Sequence, residues 1–238
     1  MQDYKIRKDA LLHEKLRNNL PLTISNKEEK LLNSDIPIQK IIGFVEMQNV
    51  KIQVNRHVLI PRYETEELIL KTYEFVNKNS YVLDLCSGSG FIGIAIAKNK
   101  KCNVVLSDID YEAISQSHIN KIINQVDNIE IITSDLFENL GQKKFDVIVS
   151  NPPYLQKQYT INISVLNHEP KKALFADDKG NYFYKKIINL APFFLKPKGI
   201  LIFEISPSNV FFFKALTYLN IEIHKDINGK ERIVVIKF

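Results

Sequence analysis

The sequence predicts an α/β protein whose core is a mostly parallel β-sheet with helices packed on both faces. Between residues 58 and 238, stretches with strand character alternate with stretches of helical periodicity, the pattern of parallel strands joined by crossover helices. The chain closes around Asn228-Gly229, a hairpin signal that adds an antiparallel strand. A length of 238 residues suffices for one complete α/β domain and a small appendage.

The N-terminal appendage is predicted to be helical. Apolar residues recur at helical spacing over 3–19, and Pro21 ends that helix. Ser25 and Glu28 form a capping-box pattern, which opens a short second helix. We therefore expect a small helical domain over residues 1–40.

A β-hairpin is predicted to connect this domain to the rest of the chain. Pro37 is expected to begin an extended stretch, because proline has a fixed φ and no N–H. Residues 44–47 and 50–54 alternate on either side of a short turn, as the strands of a hairpin do. We therefore assign the connector to residues 41–57 and the main domain to residues 58–238.

The main domain is predicted to contain seven strands. These strands lie at 81–85, 104–107, 129–133, 145–149, 199–204, 221–224 and 232–238. One predicted helix follows the acidic cluster at 64–66. The other predicted helices lie at 91–98, 111–124, 181–195 and 208–219.

Composition narrows the class of protein. No apolar run approaches the roughly 20 residues that a membrane span needs, and the charged N-terminus lacks the core of a signal peptide. We therefore expect a cytoplasmic protein with no membrane association. We also expect a monomer. Cys86 and Cys102 form no disulfide or metal-ligand pattern, so no metal is expected. The net charge of +5 is spread over single and paired lysines, which favours solvated surface over specific nucleic-acid binding.

A glycine-rich turn follows the first strand of the main domain. Gly88, Gly90 and Gly93 spell G-x-G-x-x-G, which permits a tight turn and lets backbone N–H groups approach a ligand. Asp108 ends the next strand, where an acid can accept both hydroxyls of a ribose. The pattern alone is compatible with a nicotinamide cofactor or with S-adenosylmethionine.

Three further features favour S-adenosylmethionine. Asp84 precedes the glycines, where a carboxylate attracts a cationic amino-acid tail but repels a pyrophosphate. Asp135 and Leu136 follow the third strand, where a polar and an apolar side chain can bracket an adenine. The motif Asn151-Pro152-Pro153-Tyr154 follows the fourth strand. The plain structural alternatives are a helix cap for Asp108 and a turn for Asp135.

The Asn-Pro-Pro-Tyr motif suits the recognition of a planar –NH2 group. The prolines make the chain leave the sheet in a rigid, extended form. The side-chain carbonyl of Asn151 and the backbone carbonyl of Pro152 can each accept one N–H, and the ring of Tyr154 offers a flat apolar face. The structural alternative is an Asn-Pro turn followed by a core tyrosine.

Taken together, these motifs resemble the N5-glutamine methyltransferases that modify peptide-chain release factors (the HemK/PrmC family). The resemblance covers nearly everything from Pro37 on, and the sequence IPRYETE over 60–66, followed later by NPPY, is its most specific part. The matching stretches are residues 37–43, 58–66, 84–90, 108, 134–137, 151–154, 168–170 with 173–174, and 228–232.

The resemblance implies an enzyme with a Rossmann-like class I S-adenosylmethionine-dependent methyltransferase fold. Its expected substrate is the glutamine of the Gly-Gly-Gln motif in a class 1 release factor, which the N-terminal domain helps to dock. Catalytic positions are expected at Asn151, Pro152, Pro153 and Tyr154. Cofactor contacts are expected from Asp84, Cys86, Ser87, Gly88, Ser89, Gly90, Asp108, Asp135, Leu136 and Asn151. The same four catalytic positions, with Arg62, Glu64 and Glu66, are expected to bind the substrate, although acids at 64 and 66 also suit a plain helix N-terminus.

Three departures from the family pattern stand out. Tyr63 replaces the usual proline, and Cys86-Ser87 replace the usual Gly-Thr. A side chain at Cys86 is expected to crowd the methionine part of the cofactor. The N-terminal domain, at about 40 residues, is short, so its docking surface is expected to be reduced or different.

Two other functions fit part of the pattern. An N6-adenine methyltransferase also recognises a flat –NH2 group, but it must extract its base and usually has a basic groove or an added domain. A binding protein with this fold and no catalysis is the second alternative, and Cys86 is the feature that favours it.

Overall fold

The computed structural model of the protein describes residues 2–238. Its strands are β1 (Phe44–Met47), β2 (Val50–Gln53), β3 (Tyr81–Leu85), β4 (Asn103–Asp108), β5 (Ile129–Thr133), β6 (Phe145–Ser150), β7 (Leu195–Glu204), β8 (Asn220–Lys225) and β9 (Glu231–Lys237). Its α-helices are α1 (Gln2–Arg17), α2 (Asn26–Leu32), α3 (Ile38–Ile42), α4 (Thr65–Tyr73), α5 (Phe91–Lys100), α6 (Tyr111–Ile123), α7 (Ile163–His168), α8 (Tyr182–Leu190) and α9 (Val210–Lys214).

A seven-stranded sheet organises the described residues, with the strand order β5-β4-β3-β6-β7-β9-β8. The strands from β5 to β7 pair in parallel, and β9 runs antiparallel to its neighbours β7 and β8. This arrangement confirms the predicted mostly parallel sheet with an antiparallel C-terminal strand. The strand order reverses at β3, because the chain adds β4 on one side and β6 on the other. Ligands bind outside the carboxyl ends of the strands at such a reversal.

Two apolar clusters cover the two faces of the sheet. Successive side chains of a strand point to opposite faces, so Val82 belongs to one cluster and Leu83 to the other. The first cluster includes the hairpin β1–β2 and much of α5, and the second includes the buried aromatic residues Tyr184, Phe203 and Phe213. The sheet is therefore buried on both faces, as its apolar strands require.

The β1–β2 hairpin is fastened to α6 by asparagine side chains. The backbone N–H groups of Lys51 and Gln53 donate to Asn124 Oδ1 (2.9 Å) and Asn120 Oδ1 (2.8 Å). The amide nitrogens of the same asparagines donate back to the carbonyls of Lys51 and Gln53. Each side-chain amide thus takes the place of a neighbouring strand and satisfies an edge that would otherwise lack partners.

The helices α1 and α2 bury their own apolar residues away from the two clusters. Leu11 and Leu32 are buried, and the guanidinium of Arg7 donates to the carbonyls of Leu32 (3.1 Å) and Ile36 (2.6 Å). The predicted capping box is present, because Ser25 and Glu28 each accept from the other's backbone N–H. This packing supports our proposal that residues 1–40 form a separate small domain, with 41–57 as connector and 58–238 as the main domain.

Two predicted elements need correction around prolines. The stretch after Pro37 is not extended: Pro37 precedes the single turn α3, which ends at Gly43 with a φ of 91°. Proline suits a helix start, and glycine suits a left-handed end. The helix predicted over 181–195 ends at Leu190, because Pro192 interrupts it and a 3₁₀ turn leads into β7.

Two more helices differ from the prediction. The helix predicted over 208–219 shortens to a 3₁₀ turn at Pro207–Asn209 followed by α9. Three consecutive phenylalanines within α9 are weak helix formers, and their packing rather than their propensity decides the local structure. No helix was predicted at the position of α7. The side chain of Asn162 caps the N-terminus of this helix.

The described residues include neither a membrane-spanning helix nor a metal-binding cluster. No helix within residues 2–238 has the length and apolar character required to cross a bilayer. Over the same residues, no cluster of three histidine, cysteine, aspartate or glutamate side chains is arranged to hold a metal ion.

Candidate active site

Two carboxyl groups accept hydrogen bonds from the backbone of the glycine-rich turn. Gly88 has a φ of 55° and Gly90 a φ of 83°, conformations that favour glycine. The N–H of Gly88 donates to Asp108 Oδ2, and the N–H of Gly93 donates to Asp84 Oδ2, each at 2.8 Å. Gly93 has no room for a side chain, because a Cβ there would lie 2.1 Å from a methyl carbon of Leu106.

A cavity of about 700 Å³ opens at the carboxyl ends of β3, β4, β5 and β6. Of the predicted site residues, seven line it: Cys86, Gly88, Asp108, Asp135, Leu136, Asn151 and Pro153. Apolar walls come from residues that were not predicted to belong to the site, namely Val58, Ile109, Ala113, Pro170 and Phe183. The cavity therefore combines acids along one part with apolar surface suited to a flat ring.

Four other predicted cofactor residues, at the end of β3 or within the turn, do not line the cavity. These are Asp84, Ser87, Ser89 and Gly90. Asp84 is fully buried, and burial raises the pKa of its carboxyl group to about 8. Its second oxygen, Oδ1, and the hydroxyl of Ser87 are buried without a hydrogen-bond partner among the described residues. Two such polar atoms beside the turn fit a charged, hydrogen-bonding amino-acid group.

Asp108 is presented to the cavity at the end of β4. Its Oδ2 accepts from Gly88 and its Oδ1 accepts from the N–H of Asp110 at 2.9 Å. Each carboxylate oxygen keeps a lone pair for one further donor, so the group can accept two ribose hydroxyls. Burial raises the pKa of Asp108. At the rim, Lys172 forms an ion pair of 2.9 Å with Asp110, a contact that the sequence analysis did not predict.

Cys86 and Leu136 both adopt left-handed backbone conformations at the cavity. The φ of Cys86 is 61° and that of Leu136 is 47°, values that side-chain-bearing residues rarely adopt. Burial raises the pKa of the Cys86 thiol, so the group stays neutral and is a poor nucleophile. Strain of this kind concentrates at ligand sites, where the surrounding structure imposes it.

Asn151 lies between the first cavity and a second one. The second cavity, of about 520 Å³, is lined by Asn151 together with Arg62, Tyr154 and Glu204. Pro152 is buried and lines neither cavity. Among residues 2–238, no hydrogen bond occupies the side-chain oxygen of Asn151 or the carbonyl of Pro152. Both predicted acceptors are therefore left free by the packing of the described chain.

The structure separates the three residues outside the Asn-Pro-Pro-Tyr motif that were predicted to bind the substrate. Arg62 lines the second cavity, and its Nη2 donates to both oxygens of the buried Glu169 at 2.7 and 2.8 Å. Glu64 is exposed at the start of α4, and Glu66 accepts from Gln48. Neither Glu64 nor Glu66 lines either cavity. Both lie at the N-terminus of α4, where acids are favourable, so the plain structural alternative fits them.

Sequence reasoning missed two buried acids of the site. Glu169 accepts from Arg62 and from the N–H of Ile60, and Glu204 contacts Tyr154 at the end of β7. The available signals were the His168-Glu169-Pro170 match and a lone acid that closes the apolar strand predicted over 199–204.

Gly180 supports the motif from behind. It has a φ of 84°, and a Cβ at this position would lie 2.1 Å from the backbone oxygen of Tyr154. We expect Gly180→Ala to displace Tyr154 and to lower both activity and stability. The free energy of unfolding should fall by about 2–4 kcal/mol, from left-handed strain and overpacking together.

Thermal unfolding and an activity assay check this expectation. Gly141→Ala is the matched control, because Gly141 has a φ of 63° but open space around its Cβ position. That variant should lose only the strain, roughly 1–2 kcal/mol, and keep its activity. Equal loss of activity in both variants would contradict a specific contact with Tyr154.

Comparison with known proteins identifies the family. The model of the methyltransferase small domain matches residues 65–174. A release factor glutamine methyltransferase from Lactococcus lactis is 36% identical over 236 residues, which cover 95% of this chain and 86% of the relative. This chain belongs to the release factor glutamine methyltransferase family. A further member of that family, from Fusobacterium nucleatum, is 37% identical over 211 residues, which cover 84% of this chain and 60% of the relative.

Solved structures agree on the fold of this family member. A methyltransferase from Pyrococcus furiosus has a TM-score of 0.62 and 17% identity, with 90% of this chain and 98% of that chain covered. At that identity the likeness concerns the fold alone. The predicted family, the methyltransferase class of enzyme and the Rossmann-like methyltransferase fold are all confirmed.

Proposed function

We propose that this protein transfers a methyl group from S-adenosylmethionine to the side-chain amide nitrogen (N5) of a glutamine, the one in the Gly-Gly-Gln motif of a class 1 release factor. The observation that carries the proposal is the position of Asn151. It lies at the junction of the two cavities, with both predicted acceptor oxygens free. The names of the relatives supply the substrate class.

The first cavity has the chemistry that S-adenosylmethionine requires. Asp108 would bind the ribose hydroxyls, and Leu136 with Phe183 would contact the adenine. Gly88 would let the backbone approach the methionine part, close to the unpartnered Asp84 Oδ1. When bound there, the cofactor supplies an electrophilic methyl group on a sulfonium. Cys86 lines the same cavity, and its thiol narrows the space that a glycine would leave open.

The second cavity would hold the carboxamide. An amide nitrogen is a poor nucleophile, because its lone pair is conjugated with the carbonyl. If Asn151 Oδ1 and the Pro152 carbonyl each accept one N–H, electron density is localised on nitrogen and its lone pair is aimed into the first cavity. Alignment of this kind can contribute roughly 7–11 kcal/mol to a reaction. The N–CH3 bond would form as the S–CH3 bond breaks, so that the cofactor leaves as a neutral thioether. The N-methylated amide cation is strongly acidic and would lose one N–H proton to water, so no strong base is needed for this step.

The surroundings of Asn151 fit a peptide that carries the glutamine. The ring of Tyr154 would stack on the amide plane. Arg62 donates to Glu169 through Nη2 alone. Within residues 2–238, its other guanidinium nitrogens have no hydrogen-bond partner. Those N–H groups can donate to backbone carbonyls of the bound loop.

A larger groove links the second cavity to the N-terminal helices. It has a volume of about 1470 Å³ and includes Arg62 and Val165, which also line the second cavity. Tyr4, Arg7 and Asp35 contribute polar groups from the N-terminal side. This continuity supports a docking role for residues 1–40 in binding the release factor.

The N6-adenine alternative is not favoured. The relatives at 33–37% identity over most of the chain carry the release-factor name, and the charge pattern offers no dense basic cluster for phosphates.

Radiolabelled S-adenosylmethionine decides between the two substrates. The protein is offered recombinant release factor and total RNA in separate reactions, and the Gly-Gly-Gln peptide is then analysed by mass spectrometry. We expect label in the release factor and one added methyl group on its glutamine. Label in RNA alone would refute the proposed function, and absence of cofactor binding in a calorimetric titration would favour the non-catalytic alternative.

A further inference from the structure

Glu204 is placed beside Asn151 by the register of the sheet. Ser150 of β6 pairs with Phe203 of β7, so the residues that follow them, Asn151 and Glu204, leave adjacent strands at the same level. Both line the second cavity. The same backbone position is fixed from behind, because the hydroxyl of Tyr184 donates to the Glu204 carbonyl at 2.8 Å.

The two carboxylate oxygens of Glu204 have separate partners. Oε1 accepts from the hydroxyl of Tyr154 at 3.3 Å, and Oε2 accepts from the hydroxyl of Thr65 at 2.8 Å. The residue is only 2% exposed, and burial raises the pKa of its carboxyl group. Among residues 2–238, no cation lies within ion-pair distance of it, and the more distant charge of Arg232 offsets only part of the rise in pKa. A buried acid in this setting destabilises the fold, so its presence at the substrate cavity requires another explanation.

The contact with Tyr154 supplies that explanation. The ring of Tyr154 would stack on the substrate amide, and stacking aligns that amide only if the ring itself is held. The backbone of the motif fixes one end of the side chain, next to Gly180. Glu204 holds the other end, and Thr65 orients the carboxylate from the start of α4.

We propose that Glu204 is a positioning residue for methyl transfer, which acts by holding the hydroxyl of Tyr154 so that the ring keeps the substrate amide aligned with the acceptor oxygens. This inference rests on the proposed function. It assigns Glu204 no proton transfer, because each of its oxygens already has a hydroxyl partner within the protein.

Steady-state kinetics on a release-factor substrate, with calorimetric cofactor binding and thermal unfolding, test the proposal. We expect Glu204→Ala and Tyr154→Phe each to lower kcat by about 10- to 100-fold, the scale of a small misalignment, without weakening cofactor affinity. The double variant should be no slower than the slower single variant, because the two residues act as one unit. Glu204→Gln should keep kcat within about threefold of the wild type, because its amide oxygen can still accept from Tyr154.

Tyr73→Phe is the matched control. It removes the part-buried hydrogen bond from the Tyr73 hydroxyl to the carbonyl of Ala95, and neither residue lines either cavity. It should lower the melting temperature and keep kcat, which separates positioning from a general loss of stability.

Three results would overturn the inference while the wild type remains active on the release factor. These are an unchanged kcat in Glu204→Ala, multiplicative losses in the double variant, and a Glu204→Gln variant as slow as Glu204→Ala, which would assign proton transfer instead. A wild type that leaves the release factor unmethylated would overturn the proposed function itself, and this inference with it.

Discussion

Asn151→Ala is expected to lower kcat by about 100- to 1000-fold, with the affinity for S-adenosylmethionine nearly unchanged. The variant removes one of the two acceptors that would hold the amide N–H groups, and the loss of one preorganised hydrogen-bond group in an active site costs about 3–4 kcal/mol. The remaining carbonyl, that of Pro152, belongs to the backbone and stays in place. Single-turnover measurement of methyl transfer gives the rate, and calorimetry gives the cofactor affinity.

The control for this variant lies at the amino ends of the strands, opposite the cavities. Asn103 is exposed at the amino end of β4, so Asn103→Ala removes the same chemical group far from both cavities and should retain full activity. An Asn151→Ala variant with normal turnover would show that the motif does not hold the amide. A loss of cofactor binding equal to the loss of rate would instead assign Asn151 to the cofactor.

The sheet was predictable from the sequence because its strands are buried on both faces. Strand β3 is buried along most of its length, and the edge strand β5 keeps a mostly apolar run, so the predicted limits 81–85 and 129–133 coincide with the observed ones. The helices at the sheet's C-terminal half were less predictable. Their ends depend on Pro192 and on packing of the phenylalanines in α9, which local periodicity does not encode.

The site was predictable where the chemistry is local. A few consecutive residues are enough to recognise the turn at Gly88, the acid at the end of β4 and the Asn-Pro-Pro-Tyr motif. Glu204 and Glu169 do not, because their partners lie far along the chain: Thr65 is 139 residues from Glu204, and Ile60 is 109 residues from Glu169. Only the strand register and the folded contacts bring these acids to the substrate side.

The position of Asp84 shows the same limit from the other direction. Its place before the glycines correctly indicates a carboxylate at the turn, and one oxygen does hold Gly93. The sequence does not indicate that the side chain is fully buried behind the turn, with a pKa raised to about 8. A contact with the cofactor would therefore use first Oδ1, the oxygen that has no partner among the described residues.

Asp108→Asn is expected to weaken S-adenosylmethionine binding by about 100-fold and to leave kcat at saturating cofactor close to that of the wild type. A carboxylate can accept both ribose hydroxyls, and hydrogen bonds to a charged group contribute about 1.5–3 kcal/mol each. An asparagine of the same shape keeps one acceptor oxygen and presents donors in place of the other. Calorimetric titration measures the loss of affinity.

This expectation is the converse of the one for Asn151, and the pair tests the division of the site into two cavities. If Asp108 only binds the ribose, its substitution changes affinity and not the chemical step. Asp127→Asn is the matched control, because Asp127 is exposed in the loop before β5 and should bind the cofactor normally when changed. A fall in kcat without a change in affinity for Asp108→Asn would mean that the acid acts on the substrate, and that the assignment of the first cavity to the cofactor is wrong.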